Sequence, residues 1–376
     1  MYKRNNTVYI IAILIMTILL TAITVYASSE AQVPNVSAKA AVLYQPDTDS
    51  LLFRKNHRLR LPMASTTKIM TAVIAMESDI DRDESKPIGC ECIGTEGSSA
   101  YLKEGDKVTL RELLYALLLQ SANDAAVEIA CRVGGSVDGF ADMMNAKAAE
   151  LELSSTHFTN PHGLDDSEHY TTAEDLAKLA AYALDIEEFR NVCSTYKKTI
   201  ATGERVRTYV NHNKLLHMYD GCVGVKTGYT ARCGRCLVGA AERDGLRLVS
   251  VTLDAPNDWN DHEALLNYGF QQMEMLTLAT TYEYGFDIPT TEGKSVRVTN
   301  TDELCIPITR KKHTVSEQVI LDRFCTLPVK KGDKLGRVEF IVDGKKVGNV
   351  DLIATTDANT NETTGIIKRL IKLFQR

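Results

Sequence analysis

The chain has 376 residues, of which 44% are hydrophobic, and it carries a net charge of -6 at pH 7. This length and composition are sufficient for two globular domains and a buried core. The acidic balance argues against a general nucleic-acid-binding protein, because such a protein must neutralise a run of phosphates with lysine and arginine.

Residues 1–27 predict export. Lys3 and Arg4 precede an uncharged run rich in isoleucine and leucine, and the tripeptide ending at Ala27 offers small residues for cleavage. Because the run approaches the ~20 residues that span a bilayer, the segment is either a cleaved signal peptide or an uncleaved anchor. In both cases we expect the rest of the chain at the extracytoplasmic face of the cell membrane.

The segment LPMASTTKIMTAVIAMES, residues 61–78, predicts a buried helix with Ser65 near its N-terminal end. Lys68 follows three residues later, so both side chains lie on one face of the helix. Ser65 is a candidate nucleophile and Lys68 its candidate base, provided that burial or a second cation lowers the pKa of the lysine. The spacing alone is a weak signal, because Ser194 and Lys197 repeat it in what reads as a strand edge.

Two more polar motifs follow along the chain. Ser121 and Asn123 fall in a predicted tight loop between two apolar helices. Lys226, Thr227 and Gly228 fall in a β-rich stretch. A cation, a hydroxyl and a glycine on an exposed strand suit the binding of an extended peptide, since glycine lets another backbone come close.

The cysteines and one polar loop do not indicate a metal or a cofactor. Cys233 and Cys236 form a lone C-x-x-C without the second pair that a structural zinc site usually has, and a strand rather than a helix follows them. We therefore interpret the cysteines as structural or incidental. The loop NPHGLDDSEHY, residues 160–170, gathers histidines and carboxylates, but it reads as a turn-rich loop whose polar side chains bind backbone.

The C-terminal part of the chain predicts a β-sandwich, a linker and a helix. Residues 282–354 alternate as strands and turns, with Asp343-Gly344 as a hairpin turn, and residues 355–365 are a polar linker. Residues 366–376 form a basic amphipathic helix, whose apolar side chains fall within an arc of roughly 160°. We favour binding of this helix to an anionic membrane surface over its docking on the protein itself.

Three motifs in a fixed order, S-x-x-K at Ser65, S-A-N at Ser121 and K-T-G at Lys226, resemble those of the penicillin-binding and serine β-lactamase superfamily. The stretches EGSSAYLKEGDKVTLRELL and GVKTGYTARCGRCLVGAAERDG are similar to the low-molecular-mass D-alanyl-D-alanine carboxypeptidases. The resemblance implies an α/β (α+β) catalytic domain of the serine β-lactamase/transpeptidase type over residues 38–276. A smaller, all-β sandwich domain follows it.

The same resemblance implies a reaction through an acyl-enzyme. Ser65 would attack the bond between two terminal D-alanines of a peptidoglycan stem peptide, with Lys68 as its base. Ser121 would relay a proton to the leaving amine, and Asn123 would orient Lys68 and the substrate. β-Lactams would inhibit by acylating Ser65.

The implied substrate-binding residues lie on the K-T-G strand. Lys226 and Thr227 would hold the terminal carboxylate, and Gly228 belongs to the strand along which the substrate would lie. The N–H groups of Ser65 and Tyr229 would hold the oxyanion. No cofactor is implied.

Two departures from the family pattern stand out. Ala122 replaces a common glycine, which is a small change. No arginine lies between Asp254 and Phe270, so carboxylate binding is expected to depend more heavily on Lys226 and Thr227.

Two other functions remain open at this point. A serine β-lactamase would share the motifs, but no E-x-x-L-N-like element lies between Asn123 and Lys226 to supply a deacylating glutamate. A non-catalytic penicillin-binding sensor is opposed by the retention of all three motifs.

Overall fold

A computed structural model describes residues 32–202 and 205–359 of the chain. The predicted export segment, the amphipathic helix and most of the linker lie outside these residues. Within the described ranges, no helix is both long and apolar enough to cross a bilayer.

The first domain is built on a five-stranded antiparallel sheet in the order β2-β1-β9-β8-β7. Its strands are β1 (Ala40–Gln45), β2 (Ser50–Lys55), β7 (Cys222–Thr230), β8 (Gly234–Arg243) and β9 (Leu246–Leu253). Two two-stranded antiparallel sheets lie outside this sheet, and they consist of β3 (Lys86–Pro87) with β4 (Lys107–Val108) and of β5 (Lys197–Thr202) with β6 (Arg205–Val210). β7, which carries the K-T-G residues, is therefore an edge strand.

Eight α-helices of the described residues belong to this domain. They are α1 (Lys68–Glu77), α2 (Leu110–Leu119), α3 (Asn123–Gly134), α4 (Val137–Glu150), α5 (Ala173–Asp185), α6 (Glu187–Cys193), α7 (Leu215–Met218) and α8 (Asp258–Gln272). α1 is buried on all sides from its first residue to Met76, as its continuous run of apolar side chains predicts. Its first turn therefore lies inside the protein rather than on its surface.

The two faces of the sheet bury different cores. Successive side chains of a strand point to opposite faces. Ala40 and Val42 of β1 accordingly join the large core that surrounds α1, whereas Ala41 and Leu43 join a smaller core with Leu265 of α8. The sheet thus lies between α8, which packs with Leu215 of α7, and the helices that surround α1. This arrangement fixes β7 relative to α1.

The second domain is all-β, as predicted. Its strands are β10 (Met273–Ala279), β11 (Gly285–Pro289), β12 (Ser295–Thr299), β13 (Leu304–Thr309), β14 (Val315–Leu321), β15 (Lys334–Val342) and β16 (Lys345–Ala354). β10 pairs with β13, and the other five form a sheet in the order β11-β12-β16-β15-β14. Both sheets contribute to one core, for example through Leu278, Val298 and Phe340. The predicted hairpin turn at Asp343-Gly344 is confirmed, with both residues at positive φ.

Candidate active site

Ser65 and Lys68 meet at the start of α1. Ser65 lies in a short 3₁₀ turn, Ala64–Thr67, that leads directly into the helix, and the Lys68 side chain is fully buried. The Lys68 Nζ lies 2.9 Å from the Ser65 Oγ, 2.7 Å from the Asn123 Oδ1 and 2.6 Å from the carbonyl oxygen of His162. Lys68 therefore contacts the candidate nucleophile and two further acceptors.

The surroundings of Lys68 favour a neutral amine. Burial lowers its pKa well below the ordinary value, and the charge of Lys226 lowers the pKa further, whereas Asp124 opposes the shift. A neutral amine has two N–H donors and one lone pair. Asn123 and His162 can accept the two donors, which leaves the lone pair for the hydroxyl proton of Ser65. This is the arrangement that a general base for a serine nucleophile requires.

A second lysine–serine pair lies beside the first. Ser121 lies in the loop between α2 and α3 with a φ of 60°, and its Oγ accepts a hydrogen bond of 3.0 Å from the Lys226 Nζ. Lys226 also donates to the carbonyl oxygen of Thr227, and its side chain is 1% exposed. Burial lowers the pKa of Lys226 to about 7. The Ser121 hydroxyl is thus held next to a cation whose charge is sensitive to pH near neutrality.

Asn123 opens α3, and both ends of its side-chain amide are used. The Oδ1 accepts the bond from Lys68, and the Nδ2 donates to the carbonyl oxygen of Glu96 at 2.6 Å. Its backbone N–H donates to the carbonyl oxygen of Ser98 at 2.7 Å. These bonds fix the amide with its oxygen toward the Lys68 amine.

The edge strand β7 approaches the backbone around Ser65. A Cβ on Gly228 would lie 3.0 Å from the carbonyl oxygen of Met63 and 3.1 Å from the Ser65 nitrogen. A side chain at this position would therefore push β7 away from the nucleophile. Thr227 and the exposed Tyr229 lie beside Gly228 and line the same cleft as Ser65. The structure thus brings together all eight residues that the sequence predicts for the site.

The cleft has a volume of about 860 Å³ and extends beyond the predicted residues. Its lining also includes the segment of His212, Lys214 and His217. It further includes Arg235 and the segment Pro256 to Asn260. The cleft therefore offers room for a substrate larger than its reacting group.

Arg235 is a cleft residue that the sequence analysis missed. Its guanidinium bonds to the buried carboxylate of Asp258, with 3.0 Å between Nε and Oδ1, and lies over the ring of Trp259. The side chain is nevertheless 44% exposed. The stretch after Asp254 contains no arginine of its own, but Arg235 of β8 bonds to Asp258 within that stretch. The signal in the sequence is the short hairpin after β7, which pairs Arg235 with Tyr229.

The second S-x-x-K pair does not resemble the first. The prediction of a strand edge is wrong for Ser194, which caps the C-terminal end of α6, whereas Lys197 begins β5. The Ser194 Oγ lies 3.4 Å from the carbonyl oxygen of Asn191. Both side chains of the pair are exposed, so Lys197 lacks the burial that favours a neutral amine at Lys68.

The polar loop at residues 160–170 packs behind the nucleophile. The His169 ring bridges the Thr67 hydroxyl at 2.7 Å and the Thr159 backbone N–H at 3.0 Å. Asp166 accepts from the backbone of Glu168 at 2.7 Å. The polar side chains thus bind backbone and neighbouring hydroxyls, and the loop supplies the His162 carbonyl to Lys68. Among the described residues, no group of three histidine, cysteine or acidic side chains could hold a metal ion.

Comparison with known proteins decides the family. The profile described as D-alanyl-D-alanine carboxypeptidase matches residues 27–257, and that of the penicillin-binding protein 5 C-terminal domain matches residues 289–360. The chain belongs to the D-alanyl-D-alanine carboxypeptidase family. It is a serine-type carboxypeptidase and penicillin-binding protein with a cell-wall function, and the predicted family and activity are confirmed.

Individual relatives span nearly the whole carboxypeptidase. D-alanyl-D-alanine carboxypeptidase DacF of Bacillus subtilis is 30% identical and covers 98% of this chain and 97% of the relative. DacC of Escherichia coli is 32% identical over 89% of this chain and 88% of the relative. The crystal structure of penicillin-binding protein 5 from Haemophilus influenzae matches with a TM-score of 0.65 and 27% identity, covering 87% of this chain and 99% of that one. These matches confirm the predicted fold class.

Proposed function

We propose that this carboxypeptidase removes the terminal D-alanine from peptidoglycan stem pentapeptides through an acyl-enzyme on Ser65. The observation that carries the proposal is the 2.9 Å contact between the Ser65 hydroxyl and the buried Lys68 amine. A desolvated amine near a second lysine is neutral and basic, and it lies within reach of the proton that must leave.

The proposed acylation uses the two lysine–serine pairs one after the other. Ser65 attacks the carbonyl between the two D-alanines while Lys68 takes its proton. Ser121 passes a proton to the leaving amine, and D-alanine departs. Asn123 holds Lys68 in place through its Oδ1. Water then hydrolyses the ester on Ser65 and releases the shortened peptide.

The proposed substrate platform is the exposed edge of β7. The tight approach of Gly228 to the Ser65 nitrogen supports an oxyanion site formed by the N–H groups of Ser65 and Tyr229. Lys226 and Thr227 bind the terminal carboxylate, and the charge of Lys226 also favours the neutral form of Lys68. Because the β-lactam ring presents a similar carbonyl and carboxylate, penicillins would acylate the same serine and leave slowly.

We also propose that the enzyme acts at the outer face of the cell membrane. Residues 1–27 carry the features of an export signal, and the basic amphipathic segment at residues 366–376 suits an anionic lipid surface. The polar linker before that segment would give the catalytic domain reach into the wall.

One assay with two substrates tests the proposal. The purified protein is mixed with a pentapeptide ending in D-Ala-D-Ala and, separately, with a fluorescent penicillin. We expect release of D-alanine together with a long-lived penicillin adduct. Rapid turnover of penicillin would instead identify a β-lactamase, and an adduct without release of D-alanine would identify a sensor.

A further inference from the structure

Cys233 and Cys236 lie together at the hairpin that joins β7 to β8. Both are free thiols, with exposures of 3% and 1%. The Cys236 Sγ lies 3.9 Å from the carbonyl oxygen of Cys233. The Thr230 Oγ1 lies 3.1 Å from the Cys233 Sγ. The two cysteines therefore lie close together, and only the exposed residues Ala231 and Arg232 at the hairpin tip come between them and β7.

This thiol pair lies directly beside the proposed substrate strand. Cys236 is the cross-strand partner of Gly228, and its Sγ lies 3.9 Å from the carbonyl oxygen of Pro62, three residues before Ser65. The two cysteines also flank Arg235, which faces the cleft. A covalent change at the pair therefore acts on the backbone that contacts the nucleophile.

We propose that Cys233 and Cys236 are a redox-active dithiol whose oxidation to a disulfide slows the acylation of Ser65. The free dithiol is the form in which the cleft is assembled as described. The consequence for activity rests on the proposed function, whereas formation of the disulfide does not.

The chemistry is thiol–disulfide exchange with a small disulfide as the oxidant. The Cys233 thiolate attacks one sulfur of the oxidant, whose other half leaves as a thiol. The Cys236 thiolate then attacks the Cys233 sulfur and releases the second thiol, so the protein loses two protons and two electrons. The interaction with the Cys236 side chain lowers the pKa of Cys233 to about 7, which suits Cys233 as the attacking group. Because Cys233 is buried, the exposed hairpin tip at Ala231 and Arg232 must move aside to admit the oxidant.

The change in geometry reaches the catalytic side of the hairpin. The two sulfurs must approach to about 2.05 Å. The Arg235 carbonyl, between the two cysteines, is held by the Ala255 N–H at 2.9 Å. Closing the bond therefore strains the backbone on both sides of Arg235, including Cys236 and its cross-strand partner Gly228. We expect acylation to slow at least about fivefold, within the roughly 10²-fold that a misplacement of 1 Å can cost.

The test uses the full chain at graded ratios of oxidised to reduced glutathione. Trypsin cuts after Arg232, Arg235 and Arg243, so the two cysteines fall on separate fragments, residues 233–235 and 236–243. We expect mass spectrometry to find these fragments joined after oxidation and separate after reduction. In parallel, the rate of labelling by a fluorescent penicillin should fall and recover. Persistent free thiols, or two separate glutathione adducts, would overturn the proposal.

The double variant Cys233→Ala/Cys236→Ala controls for the remaining cysteines. It is compared with its own reduced form, and we expect oxidised glutathione to leave its labelling rate unchanged. An equal loss of rate in this variant would assign the effect to other thiols and overturn the proposal. Joined fragments with an unaltered labelling rate in the wild type would overturn its link to catalysis. A reduced protein that is never labelled would instead contradict the function proposed for Ser65.

Discussion

Lys226 donates a hydrogen bond of 3.0 Å to Ser121, which lies 105 residues earlier in the chain. The pair repeats the contact between Lys68 and Ser65, and both amines are buried. The two lysines are also coupled electrostatically, because the charge of Lys226 lowers the pKa of Lys68. A cation that binds the substrate would thus also keep the base in its reactive form.

The first prediction concerns the nucleophile. Ser65→Ala should abolish both D-alanine release and penicillin labelling, because among the described residues no other hydroxyl is hydrogen-bonded to the Lys68 amine. Ser194→Ala is the matched control, since Ser194 belongs to the other S-x-x-K pair and is exposed. It should retain activity near that of the wild type. A loss above about tenfold, roughly 1.4 kcal/mol in the activation barrier, would show that the second pair takes part.

The second prediction concerns pH. The pKa of Lys226 is lowered to about 7, so its charge is present below pH 7 and is lost as the pH rises. At one pH unit above the pKa, about a tenth of the amines remain protonated. We therefore expect kcat/KM for the pentapeptide to fall about fivefold between pH 7 and pH 8, since about half of the amines carry the charge at pH 7.

Lys226→Arg provides the control for this assignment, because arginine keeps its charge throughout this range. The variant should retain part of the activity and lose the decline above pH 7, whereas Lys226→Ala should damage peptide turnover at every pH. The same decline in Lys226→Arg would assign the titration to another group. An unchanged kcat/KM in Lys226→Ala would exclude β7 as the substrate platform.

The third prediction concerns the buried ion pair that supports α3, the helix that Asn123 opens. The Arg132 Nε lies 2.6 Å from the Glu128 Oε1, and the guanidinium also donates to the carbonyl oxygens of Val108 and Lys86. Removing one partner of a buried pair costs about 3–5 kcal/mol, because the other charge stays buried. Arg132→Ala should lower the free energy of unfolding of the first domain by about this amount.

The only tryptophan of the chain, Trp259, lies in that domain, so its fluorescence during urea unfolding reports the loss. Lys178→Ala is the comparison, because its ion pair with Glu174 is longer, at 3.9 Å, and the lysine is more exposed. Its effect should stay below about 1 kcal/mol. Equal losses in the two variants would mean that burial of the pair at Arg132 does not determine its contribution.

The fourth prediction concerns the C-terminal segment. Deleting residues 365–376, in a chain that also lacks residues 1–27, should release the protein from anionic vesicles, since each basic residue near the surface contributes about 1 kcal/mol. Salt should weaken the binding of the undeleted form. Hydrolysis of a soluble pentapeptide should persist, because the site lies in the first domain. Equal pelleting of both forms would exclude the segment as an anchor, and loss of soluble activity would indicate a packed helix.

The sequence predicts the site well where a motif and its secondary structure agree. The run after Ser65 is apolar on all sides, and the break before Asn123 separates two helices, so both positions follow from local pattern. The roles of the His162 carbonyl and of Arg235 could not be predicted in this way. A backbone carbonyl is present in every residue type, so the sequence does not mark the one that binds Lys68. The position of Arg235 beside Tyr229 depends on the register between β7 and β8. The strand predicted at Ser194 is wrong because the helix that precedes this residue has only seven residues, which is too short to leave a clear helical pattern in the sequence. The pairing of β10 with β13 could not be predicted either, because it joins strands that are not neighbours in the sequence.

The position of β1 in the sheet has a consequence for synthesis. This strand, at residues 40–45, lies between β2 and β9, and β9 ends at Leu253. A growing chain can form the first hairpin early, but the other edge of β1 stays unpaired until about two hundred further residues have emerged. Contacts so distant in sequence form slowly. A chain truncated before β9 would therefore expose this strand edge and lack the centre of the sheet whose edge strand, β7, carries the cleft.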